Sequence, residues 1–143
     1  MKPRTILITG GSGKFGRPLV NHFLAAGDRV VTTCRSSESL AKIVAEFAGY
    51  GEGFVGIQSD FTDPGAVQAL LEQLDVQGIQ PDCLVNNARS IGFLKLEEHG
   101  SVGRENFAGE FLLDVIVPYE LTMALVMQKN SQLRSVVNIG SMY

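Results

Sequence analysis

Apolar and polar positions in this chain fall into two alternating kinds of block: short apolar runs, and longer stretches in which apolar residues recur every three or four positions. The short runs are Ile6-Leu7-Ile8, Arg29 to Thr33, Phe54 to Ile57, Cys83-Leu84-Val85 and Val136 to Ile139. Each is too short for a helix able to bury itself and suits a buried strand. The second run is also rich in β-branched residues. After the first run, Phe15, Leu19 and Phe23, with Val20 and Leu24, share a helical face that stops at Gly27. Leu40, Ile43, Val44 and Phe47 predict a second helix, capped by Ser36 or Ser37 and ended by Gly49. Asp63-Pro64 predicts the start of a third, an N-cap followed by proline at the first helical position, with Val67, Leu70, Leu71 and Leu74 on its buried side. A long helix is predicted from about Arg104 to Lys129, with Phe111, Val115, Tyr119, Met123 and Val126 among its apolar residues. Pro118 removes the bond to the Asp114 carbonyl and predicts a kink there. Arg89 to Gly103 lacks periodicity and reads as a loop.

Five strands alternating with four helices predict an α/β fold, a doubly wound parallel sheet with right-handed crossovers covering both faces. No linker or low-complexity segment divides residues 1–143, so one domain is expected. A sheet of this Rossmann-like kind, with strand order 3-2-1-4-5, binds a dinucleotide where the strand order reverses, outside the carboxyl ends of the strands. Composition agrees: 143 residues at 45% hydrophobic and 19% charged make an ordinary globular domain with a core. The net charge of −3, with charges scattered, predicts no nucleic-acid partner. Apolar runs are too short for a membrane span, and Met1-Lys2-Pro3-Arg4 leads into the first strand without a signal-peptide core, so no membrane association and a cytoplasmic location are expected. Cys34 and Cys83 fit neither a metal spacing nor C-x-x-C and read as reduced thiols. His22 and His99 have no partner at ligand spacing, and no metal is expected.

The candidate chemistry lies at the strand ends. Thr9 to Gly16 reads T-G-G-S-G-K-F-G, and its G-x-x-G-x-x-G spacing at Gly10, Gly13 and Gly16 sits between a strand and a helix. Backbone without side chains is thereby placed where unpaired helix N–H groups can receive a phosphate. Ser12, Lys14 and Phe15 complete this cofactor-facing loop. A P-loop is excluded, because G-x-x-x-x-G-K-[ST] would put its first glycine at Ile8 and its hydroxyl at Phe15. At the end of the second run an NAD-selective fold would carry a carboxylate for the ribose 2′-hydroxyl. Here Cys34 and Arg35 stand instead, and Arg35 can meet a 2′-phosphate with charge-assisted hydrogen bonds. Lys14 can add a second positive charge. NADP(H) is therefore predicted over NAD(H).

Taken together, these motifs resemble the short-chain dehydrogenase/reductase family over the whole chain. The resemblance rests on Thr9 to Gly16, on Asp60 with Phe61 after the third strand, on Asn86-Asn87-Ala88 after the fourth, and on Asn138-Ile139-Gly140-Ser141 after the fifth. It implies a hydride transfer between nicotinamide and a carbonyl or alcohol carbon. Asp60, beside Phe61, would contact the adenine; Asn87 and Ala88 would belong to the cofactor site; Ser141 would hydrogen-bond the reacting oxygen. Asp114 takes the place of the asparagine that supports the active-site lysine, and Arg89 that of the glycine in N-N-A-G. The family's proton-transfer tyrosine lies about a dozen residues after the serine, with a lysine four residues further on. Tyr143 is too close to Ser141 for that role, so the expectation is the N-terminal portion of a longer enzyme, inactive by itself and forming a homodimer or homotetramer when whole. Two alternatives stay open: a cofactor-binding sensor or scaffold without turnover, favoured by Asp114 and Arg89, and a nucleotide-sugar epimerase or dehydratase, favoured by the glycine spacing and by the Ser141-Met142-Tyr143 sequence. The latter makes a sugar one candidate substrate.

Overall fold

A computed structural model describes residues 2–140. Its sheet has five parallel strands, β1 (Thr5–Ile8), β2 (Arg29–Cys34), β3 (Phe54–Gln58), β4 (Cys83–Asn86) and β5 (Ser135–Asn138), in the order β3-β2-β1-β4-β5. Strand order, parallel pairing and position along the chain are those predicted. The helices are α1 (Gly16–Ala25), α2 (Ser37–Glu46), α3 (Ala66–Val76), α4 (Arg104–Phe111) and α5 (Val117–Val126). Among the described residues no helix is long and apolar enough to cross a membrane.

Helices cover both faces, which is why the strands read as continuous apolar runs rather than alternating ones. Successive side chains still point to opposite faces. Leu7, Val31, Ile57 and Leu84 pack with Leu70 and Leu74 of α3 and with Leu113, Val117, Leu121 and Leu125. Ile6, Ile8, Val30, Cys34, Cys83 and Val85 pack on the other side with Val20 and Leu24 of α1 and Ile43 of α2. The sheet's lower edge is tied by Asp28, which accepts from the Arg4 backbone N and Nε at 3.1 Å each, and by Asp82, whose Oδ2 accepts from the Thr5 N–H at 2.7 Å. The Arg4 hydrogen bonds outweigh burial and hold the Asp28 carboxyl below the usual range.

One local expectation is corrected, and the long helix gains detail. The Ser36 cap forms, its Oγ accepting from Ser39 N at 3.1 Å, but Asp63-Pro64 does not open α3. The Asp63 N–H donates to the Asp60 carbonyl at 3.0 Å, and the Asp63 carbonyl accepts from Gly65 and Ala66. The pair closes a turn, and α3 begins at Ala66 after Gly65. The long helix is not continuous: Leu112–Ile116 forms a π-helical turn between α4 and α5. The turn spans Asp114, whose carbonyl receives no N–H from Pro118, so the irregularity falls where the proline predicts it. Along this helical stretch the apolar residues Phe111, Val115, Tyr119, Met123 and Val126 are exposed, while Leu113, Val117, Leu121 and Leu125 face the core. Within the predicted loop, Ile91–Leu94 makes a 3-10 turn and Leu96 bridges to Val102.

Candidate cofactor site

The carboxyl ends of the strands converge, and hydrogen bonds lock the glycine loop among them. Thr9 leaves β1 buried, and its N–H donates to the Val85 carbonyl at 3.0 Å. Its Oγ1 accepts from the N–H groups of Asn87 and Ala88, at 3.0 and 2.9 Å. Gly10 N donates to Thr33 Oγ1 at 3.1 Å and Gly11 N to the Thr33 carbonyl at 3.1 Å. Asn87 Nδ2 donates to the carbonyls of Thr9 and Gly10, at 3.0 and 3.1 Å. The Asn87 amide thus braces the loop from below.

Two of the three motif glycines are sterically required. Gly10 has φ of +69°, and a Cβ there would lie 2.8 Å from Ala88 Cα. A Cβ on Gly16 would lie 2.8 Å from both Asn87 Nδ2 and Gly11 Cα. Gly13 is less constrained, its nearest neighbour being the Gly10 carbonyl at 3.3 Å. Gly11, which the spacing passed over, is required instead: a Cβ there would lie 2.8 Å from Thr32 Cβ and closer still to its hydroxyl. Nothing short of the β1–β2 register could have revealed that contact.

The loop presents donors outward. Gly13 N donates to the Gly10 carbonyl and Arg17 N to the Gly13 carbonyl, but the N–H groups of Lys14, Phe15 and Gly16 make no hydrogen bond among the described residues. Phe15 precedes α1 without capping it, and both its side chain and that of Lys14 are exposed. Free N–H groups over a cradle that a Cβ would fill suit an anionic group of a dinucleotide, held at the positive end of a helix. Ser12 is half-buried behind them, against the Cys34 thiol, which burial pushes up.

Beyond β2 the Ser59 N–H donates to the Cys34 carbonyl at 2.8 Å, which brings Arg35 beside Asp60. Arg35 Nε donates to Asp60 Oδ2 at 3.2 Å, and the Arg35 side chain is 64% exposed. Asp60 Oδ1 accepts from Thr62 N at 3.0 Å and Thr62 Oγ1 at 2.7 Å. Burial raises the Asp60 carboxyl, but the donors from Thr62 and Arg35 outweigh it and hold it below its ordinary value. The Phe61 side chain packs in the core with Leu70 and Leu74, which leaves its backbone as the part that can face a cofactor.

At the β4–β5 end, Asn86 Nδ2 donates to Asn138 Oδ1 at 2.8 Å and Ile139 N to the Asn86 carbonyl at 2.9 Å. Ser141 and Tyr143 lie outside the described residues. Asp114 sits in the π-helical turn, exposed, and meets Glu110 one turn earlier. Burial, then a hydrogen bond and charge repulsion from Asp114, raise the Glu110 carboxyl against the opposing charge of Arg89. Two surface clefts, one between α3 and the end of α5 and one around Lys95 to His99, include none of these residues.

Comparison with known proteins agrees with this geometry. The chain is 32% identical over 145 residues to the short chain dehydrogenase/reductase dpmpG of Macrophomina phaseolina, covering 96% of this chain and 80% of that one. Its fold matches a short-chain dehydrogenase from Streptomyces avermitilis with TM-score 0.80 at 31% identity, covering 98% of this chain and 50% of that one. It matches equally, at TM-score 0.80 and 28% identity, a blue fluorescent protein from a metagenomic library in complex with NADPH, covering 97% of this chain and 56% of that one. The chain therefore spans about half the length of these solved relatives. With the short chain dehydrogenase profile matching residues 4–143, and a glycine cradle braced by Asn87 in a 3-2-1-4-5 sheet, the chain belongs to the short chain dehydrogenase family.

Proposed function

We propose that the protein carrying this chain is an NADP(H)-dependent oxidoreductase acting on a small carbonyl or alcohol substrate. The observation that carries the cofactor choice is a guanidinium, Arg35, where an NAD-selective fold would end β2 with a carboxylate. The NADPH complex of the metagenomic relative supports the same choice. Gly10, Ser12, Gly13, Phe15 and Gly16, with the free N–H groups of the loop, would hold the pyrophosphate. Arg35 would hold the 2′-phosphate, with Lys14 as a second positive charge. Asp60 and the Phe61 backbone would face the adenine, and Asn87 and Ala88 would floor the site. The bound nicotinamide supplies the hydride acceptor or donor.

Ser141 would hydrogen-bond the reacting oxygen, and a Tyr-x-x-x-Lys element elsewhere in the longer protein would move the proton. The 50% and 56% coverage of the solved relatives supports placing that element outside these 143 residues. A small-molecule substrate and a cytoplasmic homodimer or homotetramer complete this reading. The Glu110–Asp114 pair supports a second one, a cofactor-binding protein without turnover: a carboxylate where an asparagine is usual would hold a neighbouring lysine charged and disfavour a tyrosinate.

Calorimetric titration of the whole protein with NADP+ and NAD+ tests the cofactor choice. Charge-assisted hydrogen bonds to the extra phosphate predict tighter NADP+ binding by roughly tenfold or more. Equal or tighter NAD+ binding overturns it. Turnover of NADPH with a panel of aldehydes and ketones separates enzyme from sensor.

A further inference from the structure

Asp60 already accepts three hydrogen bonds before any cofactor arrives. Its Oδ1 takes both donors of Thr62, and its Oδ2 takes Arg35 Nε at 3.2 Å. The carboxylate is thus anchored in the turn after β3, with its side chain only 27% exposed, whereas Arg35 reaches out from the end of β2. Arg35 makes no other hydrogen bond among the described residues. A guanidinium held through Nε keeps its two terminal nitrogens as a rigid, exposed fork, the geometry that matches a phosphate bidentately.

From this we infer that Asp60 is a positioning residue for cofactor selectivity, holding Arg35 by Nε so that its terminal nitrogens stay free and oriented for the 2′-phosphate of an adenine dinucleotide. The inference rests on the NADP(H) reading above and deepens it. Two effects of Asp60 oppose each other. Its negative charge repels a phosphate, and its hydrogen bond restricts the most flexible side chain at the site. The Arg35 side chain is 64% exposed and that of Asp60 27%, so water screens the carboxylate's repulsion of a phosphate. The ordering effect therefore dominates.

The test is equilibrium binding of NADP+ and NAD+ to the whole protein and to Asp60→Asn, Arg35→Ala, the double variant and Arg35→Lys. Loss of side-chain ordering predicts that Asp60→Asn lowers the NADP+/NAD+ preference about three- to tenfold. In the Arg35→Ala background the same change should leave the preference within about twofold, because no guanidinium remains to be positioned. Arg35→Lys, an exposed substitution that spares the Thr62 turn, keeps the charge but has no Nε to hold; it should lose a comparable part of the preference even if Asp60→Asn fails to fold. An unchanged or raised preference in Asp60→Asn, an equal fall in the Arg35→Ala background, or full retention in Arg35→Lys overturns the inference. If the unaltered protein does not prefer NADP+, the cofactor reading falls and this inference with it; if it does and any of those three results appears, only the inference falls.

Discussion

On the β1–β2–β3 side of the sheet, each strand end leads into a group held by several hydrogen bonds: Thr9 and Gly10 by Val85, Thr33 and Asn87, and Asp60 by Thr62 and Arg35. On the β4–β5 side, Val137 and Ile139 are partly exposed, and the helix over this end breaks into a π-helical turn carrying Asp114. The first region is over-determined by local geometry. In the second, the charged groups of Arg89 and Asp114 act on one another's neighbour, Glu110. The glycine loop is thus fixed by backbone hydrogen bonds, while the helix over the β4–β5 end carries an irregular turn and a pair of carboxylates.

The largest expected effect breaks the rigid side. Gly16→Val puts a branched side chain where even a Cβ meets Asn87 and Gly11, so cofactor affinity should fall at least about 100-fold in a titration. Retention within a few-fold would show that the loop is softer than its hydrogen bonds imply. Next, Leu121→Ala removes a fully buried contact under the α5 side and should destabilise by about 2–5 kcal/mol in urea denaturation. Met123→Ala, on the exposed stripe two residues on, should fall well short of that. A similar loss at both positions would mean that the exposed stripe is covered in the whole protein. The loss of NADP+ preference on altering Asp60 or Arg35 comes third.

The smallest effect is the pH dependence of the two carboxylates. Glu110 is raised in the folded state, so its contribution is favourable below its unfolded value of about 4.3 and is lost as pH rises through the folded value. Glu110→Gln should therefore gain stability relative to the parent at pH 7 and lose that gain near pH 4, measured by denaturant midpoints. Asp60 is lowered, so its contribution is present above about 3.9 and is lost as pH falls through the folded value. Asp60→Asn should be the less stable partner at pH 7 and converge with the parent in acid, by less than about 1 kcal/mol because the pair is partly exposed.

The fold was legible because its signals are local and repeated. Five apolar runs separated by helical periodicities leave few topologies, and the parallel order follows from right-handed crossovers. The Gly10 and Gly16 positions were legible from spacing, since only glycine admits the close approach found there. Gly11 was not, because its constraint comes from Thr32 on another strand. Asp63-Pro64 misled because an N-cap signature and a turn signature share the same residues, and the Asp60 carbonyl decided for the turn. Which way the Phe61 side chain turns was not legible from its motif place.

From sequence alone came the alternating α/β order, the glycine cradle between the first strand and helix, and the absence of a carboxylate after β2, all properties of neighbouring residues and their periods. Only the tertiary structure decided that Asn87 braces the loop, that Arg35 is gripped by Asp60, and that the α5 stripe facing the core is Leu121 and Leu125 rather than Tyr119 and Met123. The reason is distance along the chain. Asn87 lies 78 residues from Thr9, and Arg35 lies 25 from Asp60, so the partners of both are chosen by strand register, which no local pattern encodes.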